Sequence, residues 1–184
     1  QGSGATTNSA AEGGDDVADW RTRLDRWLRA WDWLPEMARD CFPVRPPAGG
    51  WPTALPACPA LADLYARCDG GEFGPYHLRP AAELSGDPGE LWLDDPEPGR
   101  WVRVGDHEYG HAVLWDSRDD VVSLYSPDDF GEPDPVGRTE EFLRRVFHPS
   151  SGPSADATEF WAESLAAADE LGEPPAAADP GAVG

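Results

Sequence analysis

Two histidines stand four residues apart in His107-Glu108-Tyr109-Gly110-His111, which spells H-E-x-x-H. On a helix that spacing puts both imidazoles on one face. They can then share a zinc ion while the glutamate between them serves as general base. His107, Glu108 and His111 are therefore the candidate residues of a small zinc hydrolase. Their surroundings argue against a helix. The motif lies between WVRV and AVLW, two runs of β-branched and aromatic residues, with Gly105 before it and Gly110 inside it. A glycine inside a helix costs about 1 kcal/mol relative to alanine, and Asp106 with Gly110 suits a hairpin loop. In an extended strand, residues four apart share a face at roughly 13 Å, so only a tight turn would bring the two rings together. No histidine follows before His148, and the next segment reads as two strands carrying Asp116, Asp119 and Asp120. The expectation is a polar hairpin loop, with no metal, no cofactor and no catalytic residue.

Other chemistry is no better represented. G-x-x-x-x-G-K-[ST] and G-x-S-x-G are absent, so neither the phosphate loop nor the nucleophile elbow is present. DGGEFG lacks the G-x-G-x-x-G spacing of dinucleotide sites. The pairs Asp94–Asp95, Asp119–Asp120 and Asp128–Asp129 lack calcium-loop spacing and read as turn charge.

The elements that must position these residues follow from periodicity. Residues 1–14 are Gly, Ser, Thr and Ala rich and read as a disordered tag or linker, with QGSG resembling a vector scar. Residues 15–171 read as one domain and 172–184 as a disordered tail. Val17, Trp20, Leu24, Trp27, Trp31 and Leu34 recur at steps of three or four, the stripe of an amphipathic helix opened by Asp15 and Asp16. Pro35 begins a short second helix that ends near Cys41. Residues 43–59 are proline-rich and extended. PALADLYARCDGG reads as a helix stopped by Gly70 and Gly71, with Asp69, Gly70 and Gly71 a structural turn and Phe73 packed beneath it. The period then changes to two. Tyr76–Leu78, Leu91–Leu93, Trp101–Val104, Ala112–Trp115 and Val121–Tyr125 are strand candidates, with one helical turn at Ala81–Leu84. Thr139–Phe147 and Asp156–Leu171 return to helix, the latter with Phe160, Trp161, Leu165 and Ala168 facing inward. The class is α+β, a mainly antiparallel sheet flanked by helices.

Charge narrows the partners. The 184 residues carry a formal charge of −21. Nucleic-acid binding needs clustered basic residues to displace counterions, so a duplex or an anionic membrane would be repelled. A basic protein would be drawn in by the long-range field. All 14 basic residues are Arg, and Lys and Ile are absent; this reads as the coding bias of a GC-rich bacterial genome. The three cysteines, Cys41, Cys58 and Cys68, form no C-x-x-C pair and read as buried thiols of a reducing cytoplasm. No apolar run is long enough to cross a bilayer.

LADLYARCDGGEFG resembles the signature of the SUKH superfamily, a helix ending in an Asp-Gly-Gly turn that leads into a sheet. WPTALPACPAL looks like its lead-in, LRPAAEL like its linker, GHAVLWDSRDDVVSLYSPDD like its two central strands and TEEFLRRVF like its closing helix. The likeness covers roughly residues 51–147; the Trp-rich helix before it and the helix after it are additions. It implies a SUKH-like α+β fold and a non-catalytic protein-binding role. Bacterial members are largely immunity proteins that neutralise toxins, many of them nucleases, and fungal relatives are regulators of cell-wall signalling.

Three readings follow. The first is an immunity protein whose carboxylates take the place of phosphates before a basic toxin domain. Its surface would comprise Asp94, Asp95, Asp119, Asp120, Asp128 and Asp129, with Trp92 as an aromatic anchor and Glu72 as a further acidic contact. Trp115 and Tyr125 are expected in the core instead. The second is a regulator or scaffold of the same fold. The third is the zinc hydrolase built on His107, Glu108 and His111.

Overall fold

The computed structural model describes residues 19–87, 89, 91, 93, 97–126, 128, 132–148 and 155–172. Val17, Trp92, Asp94, Asp95 and Asp129 lie outside them. The tryptophan stripe forms helix α1, Trp20–Ala30, which buries Trp20, Leu24, Trp27 and Ala30. Pro35 caps α2, Glu36–Cys41. Pro59 opens α3, Pro59–Arg67, where its missing N–H costs nothing. Helices α4, Thr139–Val146, and α5, Ala155–Leu171, close the chain order.

Between α3 and α4 runs a six-stranded antiparallel meander in sequential order: β1 Gly71–Phe73, β2 Tyr76–Leu78, β3 Trp101–His107, β4 Ala112–Asp116, β5 Val121–Tyr125 and β6 Asp134–Arg138. The architecture is α+β, as the switch of period from 3.6 to 2 and back requires. One face of the sheet, with Phe73, Leu78, Val102, Val104, Val113, Trp115 and Val122, shares a core with residues of all five helices. Aromatic rings knit it together. Trp161 of α5 stands 4.9 Å from Trp27 and 4.8 Å from Phe42, both edge-on, a geometry that adds to the area they bury.

Close approach of backbone requires glycine at Gly70 and Gly105, among other positions. Gly70 has φ +71°, and a Cβ there would lie 2.5 Å from the Leu78 carbonyl oxygen. Gly105, at the bulge of β3, would place a Cβ 2.1 Å from the His77 carbonyl oxygen. Asp69 finishes the turn: its Oδ1 accepts from the Ala81 N–H at 2.8 Å, and its carbonyl accepts from Arg45 Nε at 2.8 Å.

The structure differs from the periodicity reading in four places. Leu91 and Leu93 belong to no strand; they pack on Trp101, Ala112, Leu114 and Tyr125, on the face away from the helices. Gly71–Phe73 is a strand as well as the exit of a turn, pairing with β2 and bridging to Val44. β6, Asp134–Arg138, matches none of the strand candidates and carries Pro135 and Gly137. It is an edge strand, where a proline lacking an N–H is tolerated. Cys41 is exposed, whereas Cys58 and Cys68 are buried and burial pushes their thiols up to about 11 and about 12. Among the described residues no helix is long and apolar enough to cross a membrane.

A candidate binding groove on the open face of the sheet

The five helices cover one face of the sheet and leave the other to a short apolar cover. Side chains alternate across a strand. Trp101, Leu114, Ser123 and Tyr125 therefore point away from the helices, while Val102, Val113, Trp115 and Val122 point toward them. Register aligns the outward residues into rows: Trp101 beside Asp116 beside Val121, and Leu114 beside Ser123 beside Pro135. Leu91 and Leu93 sit over the centre of this face, and a cavity opens on each side of them.

The cavity toward β5 and β6 is a groove of ≈390 Å³. Leu93, Val121, Pro133 and Pro135 supply its apolar lining. Deep within it lie Trp101 and Asp116, 7% and 4% exposed. Asp116 is satisfied within the chain: Arg100 Nη2 donates to Oδ2 at 2.9 Å, and the Arg118 N–H donates to Oδ1 at 3.0 Å. The Arg100 guanidinium also lies 4.9 Å from the centre of the Trp101 ring, within cation–π range. Ser123, only 3% exposed, lines the groove, and its hydroxyl has no hydrogen-bond partner among the described residues. Asp119 and Glu132 are exposed at the mouth and pair with no cation among the described residues. With Arg100 balancing Asp116, the lining keeps Asp119 and Glu132 as carboxylates uncompensated among the described residues.

The second cavity, ≈280 Å³, lies toward β2 and β3 and is lined by Arg79, Glu83, Asp87 and Arg103 among others. Both arginines turn to Asp106, Arg79 Nε at 3.4 Å and Arg103 through a shorter bond. Its cations are thus occupied within the chain.

The acidic surface expected from sequence divides. Asp119 faces the groove and Asp128 is exposed. Asp120 is engaged within the chain: its Oδ1 accepts from Thr139 Oγ1 at 2.6 Å and from Trp115 Nε1 at 3.2 Å, and its Oδ2 lies 3.7 Å from Arg138 Nη2. Glu72, half-buried, is bonded to His77 Nδ1. Trp92, Asp94, Asp95 and Asp129 lie outside the described residues. Trp115 and Tyr125 are buried at 1% and 2% exposure. Ser123, Glu132 and the Arg100–Asp116 pair were missed. The alternation of VVSLY does put Ser123 on the face of Val121 and Tyr125, which was the available signal.

His107-Glu108-Tyr109-Gly110-His111 forms the β3–β4 hairpin. The His107 N–H donates to the His111 carbonyl and the Gly110 N–H to the His107 carbonyl, both at 2.8 Å. The imidazole centres are 6.1 Å apart and stacked. Nδ1 of His107 is approached by the Tyr109 N–H at 3.4 Å. Burial, and secondarily His111, hold the His107 pKa below its usual range, against an opposing pull from Glu108. Among the described residues no group of three His, Cys, Asp or Glu comes together as metal ligands.

Comparison with known proteins finds no matching family model, no matching curated protein and no matching solved structure.

Proposed function

We propose that the chain is a non-catalytic protein-binding module, an immunity protein that captures and neutralises a basic toxin domain in the cytoplasm of the cell that makes it. The carrying observation is the groove mouth, where Asp119 and Glu132 stay unpaired among the described residues of a chain of net charge −21. Leaving carboxylates uncompensated keeps the field that steers a cationic partner, with association rates that rise as salt falls. The likeness of LADLYARCDGGEFG and its flanking motifs to the SUKH superfamily supports the same reading.

The test is capture from the source organism with the full chain as bait, at low and moderate salt, followed by expression of the captured protein with and without this chain. The proposal expects one dominant basic partner, lost as salt rises, that arrests growth alone and is harmless when co-expressed. Several weak partners, or a partner whose toxicity this chain leaves unchanged, would move the role to regulation or scaffolding.

A further inference from the structure

We infer that the groove between the Leu93 cover and β6 is a binding site for a single arginine side chain of a partner. The inference rests on the reading of the chain as a binder of basic proteins, and adds which group enters and where.

The lining has the polarity of an arginine side chain. Leu93, Val121, Pro133 and Pro135 offer apolar surface to a three-carbon stem. Asp119 and Glu132 supply charged acceptors, and neither is paired among the described residues. The Ser123 hydroxyl is a further acceptor inside the groove, on a residue 3% exposed and without a hydrogen-bond partner among the described residues. Because Ser123 lines the cavity and has no partner among the described residues, its hydroxyl is available to a donor that enters. A metal ion does not fit, since no three ligating side chains converge among the described residues. A guanidinium does. Its five donors form a planar fork that serves several separated acceptors, and it sheds water more readily than an ammonium. The groove lining itself carries an internal precedent, where Arg100 lies by Trp101 and forks onto Asp116.

The test needs no protein partner. The blocked peptide acetyl-Gly-Arg-Gly-amide is titrated at low salt into the isotopically labelled full chain, and amide and indole N–H shifts are followed by NMR. The expected result is a saturable shift confined to Trp101, Val121, Ser123 and their neighbours. It should weaken about tenfold in Asp119→Asn/Glu132→Gln, roughly one charge-assisted contact. It should also weaken in Ser123→Ala and vanish when citrulline, the uncharged isostere, replaces arginine. A double variant of equal charge elsewhere, Glu36→Gln/Asp40→Asn, should leave it unchanged. Shifts scattered over the acidic surface, equal shifts with citrulline, or equal weakening in both double variants would overturn the site. If the peptide binds as expected and no basic partner is captured, the proposed function fails while the site stands; the reverse pattern fails the site alone.

Discussion

Thr139 Oγ1 donates to Asp120 Oδ1 at 2.6 Å, joining the β4–β5 turn to the first residue of α4. The same oxygen accepts from Trp115 Nε1 at 3.2 Å, and the Asp120 carbonyl accepts from the Thr139 N–H at 3.2 Å. These bonds hold Asp120 at φ +55°, the only positive φ among the described non-glycine residues. Aspartate tolerates that conformation better than most side chains. Asp120→Ala should therefore cost about 2 kcal/mol, from unpaired donors and backbone strain together. Asp120→Asn, which keeps an acceptor and the tolerance for positive φ, should cost less. Urea midpoints at constant slope measure both; equal losses would mean that the side-chain oxygen is not what matters. Asp120 is accordingly a poor choice for probing the interface, unlike its neighbour Asp119.

Two core tryptophans should respond differently to the same change. Trp161 Nε1 donates to the Val146 carbonyl at 2.6 Å, whereas Trp27 Nε1 is buried with no partner among the described residues. Trp161→Phe abandons a buried acceptor; Trp27→Phe removes a donor that was already unsatisfied. Both lose similar packing in one aromatic cluster. Trp161→Phe should thus be the more destabilising by about 1–2 kcal/mol. Equal costs by urea unfolding would contradict this.

Stability should fall in two stages on acidification. His107 has its pKa lowered, chiefly by burial. The unfolded chain therefore takes up that proton first, and stability declines as pH drops from the ordinary histidine value of 6.5 toward the lower folded value. Glu140 has its pKa lowered, first by the Arg21 hydrogen bond at 2.7 Å and then by that from Trp20 Nε1 at 2.9 Å. Its contribution is present above the ordinary value of 4.5 and is lost as pH falls below it. His107→Gln should flatten the first stage and Glu140→Gln the second, with a loss of about 1 kcal/mol at neutral pH for the partly exposed Glu140 network. Melting curves at stepped pH check both; an unchanged profile in either variant would remove that residue from the account.

The fold was legible where one residue type does one job. The spacing of Trp20, Leu24 and Trp27 gave α1, and Gly70 with Gly71 gave the turn after α3. The β-branched and aromatic flanks of HEYGH gave a hairpin rather than a helix. β6 was hidden because DPVGR carries Pro135 and Gly137, which an edge position permits and a sequence pattern penalises. Leu91 and Leu93 alternate like a strand but cover the sheet instead of joining it. The groove is tertiary. Asp119 comes from the β4–β5 turn, Ser123 from β5 and Glu132 from the segment before β6. Only register brings Ser123 beside Pro135 and Asp116 beside Val121. Counting Asp pairs found Asp119, and also swept in Asp120, whose side chain is used inside the fold.

The most direct measurement is the association rate of the captured basic partner across a range of salt, for the parent chain and for two double variants of equal charge change. The account predicts that Asp119→Asn/Glu132→Gln slows association at low salt about tenfold and flattens its salt dependence, while Glu36→Gln/Asp40→Asn does neither. Equal effects of the two variants, or none from the first, would contradict it and place the partner on another face.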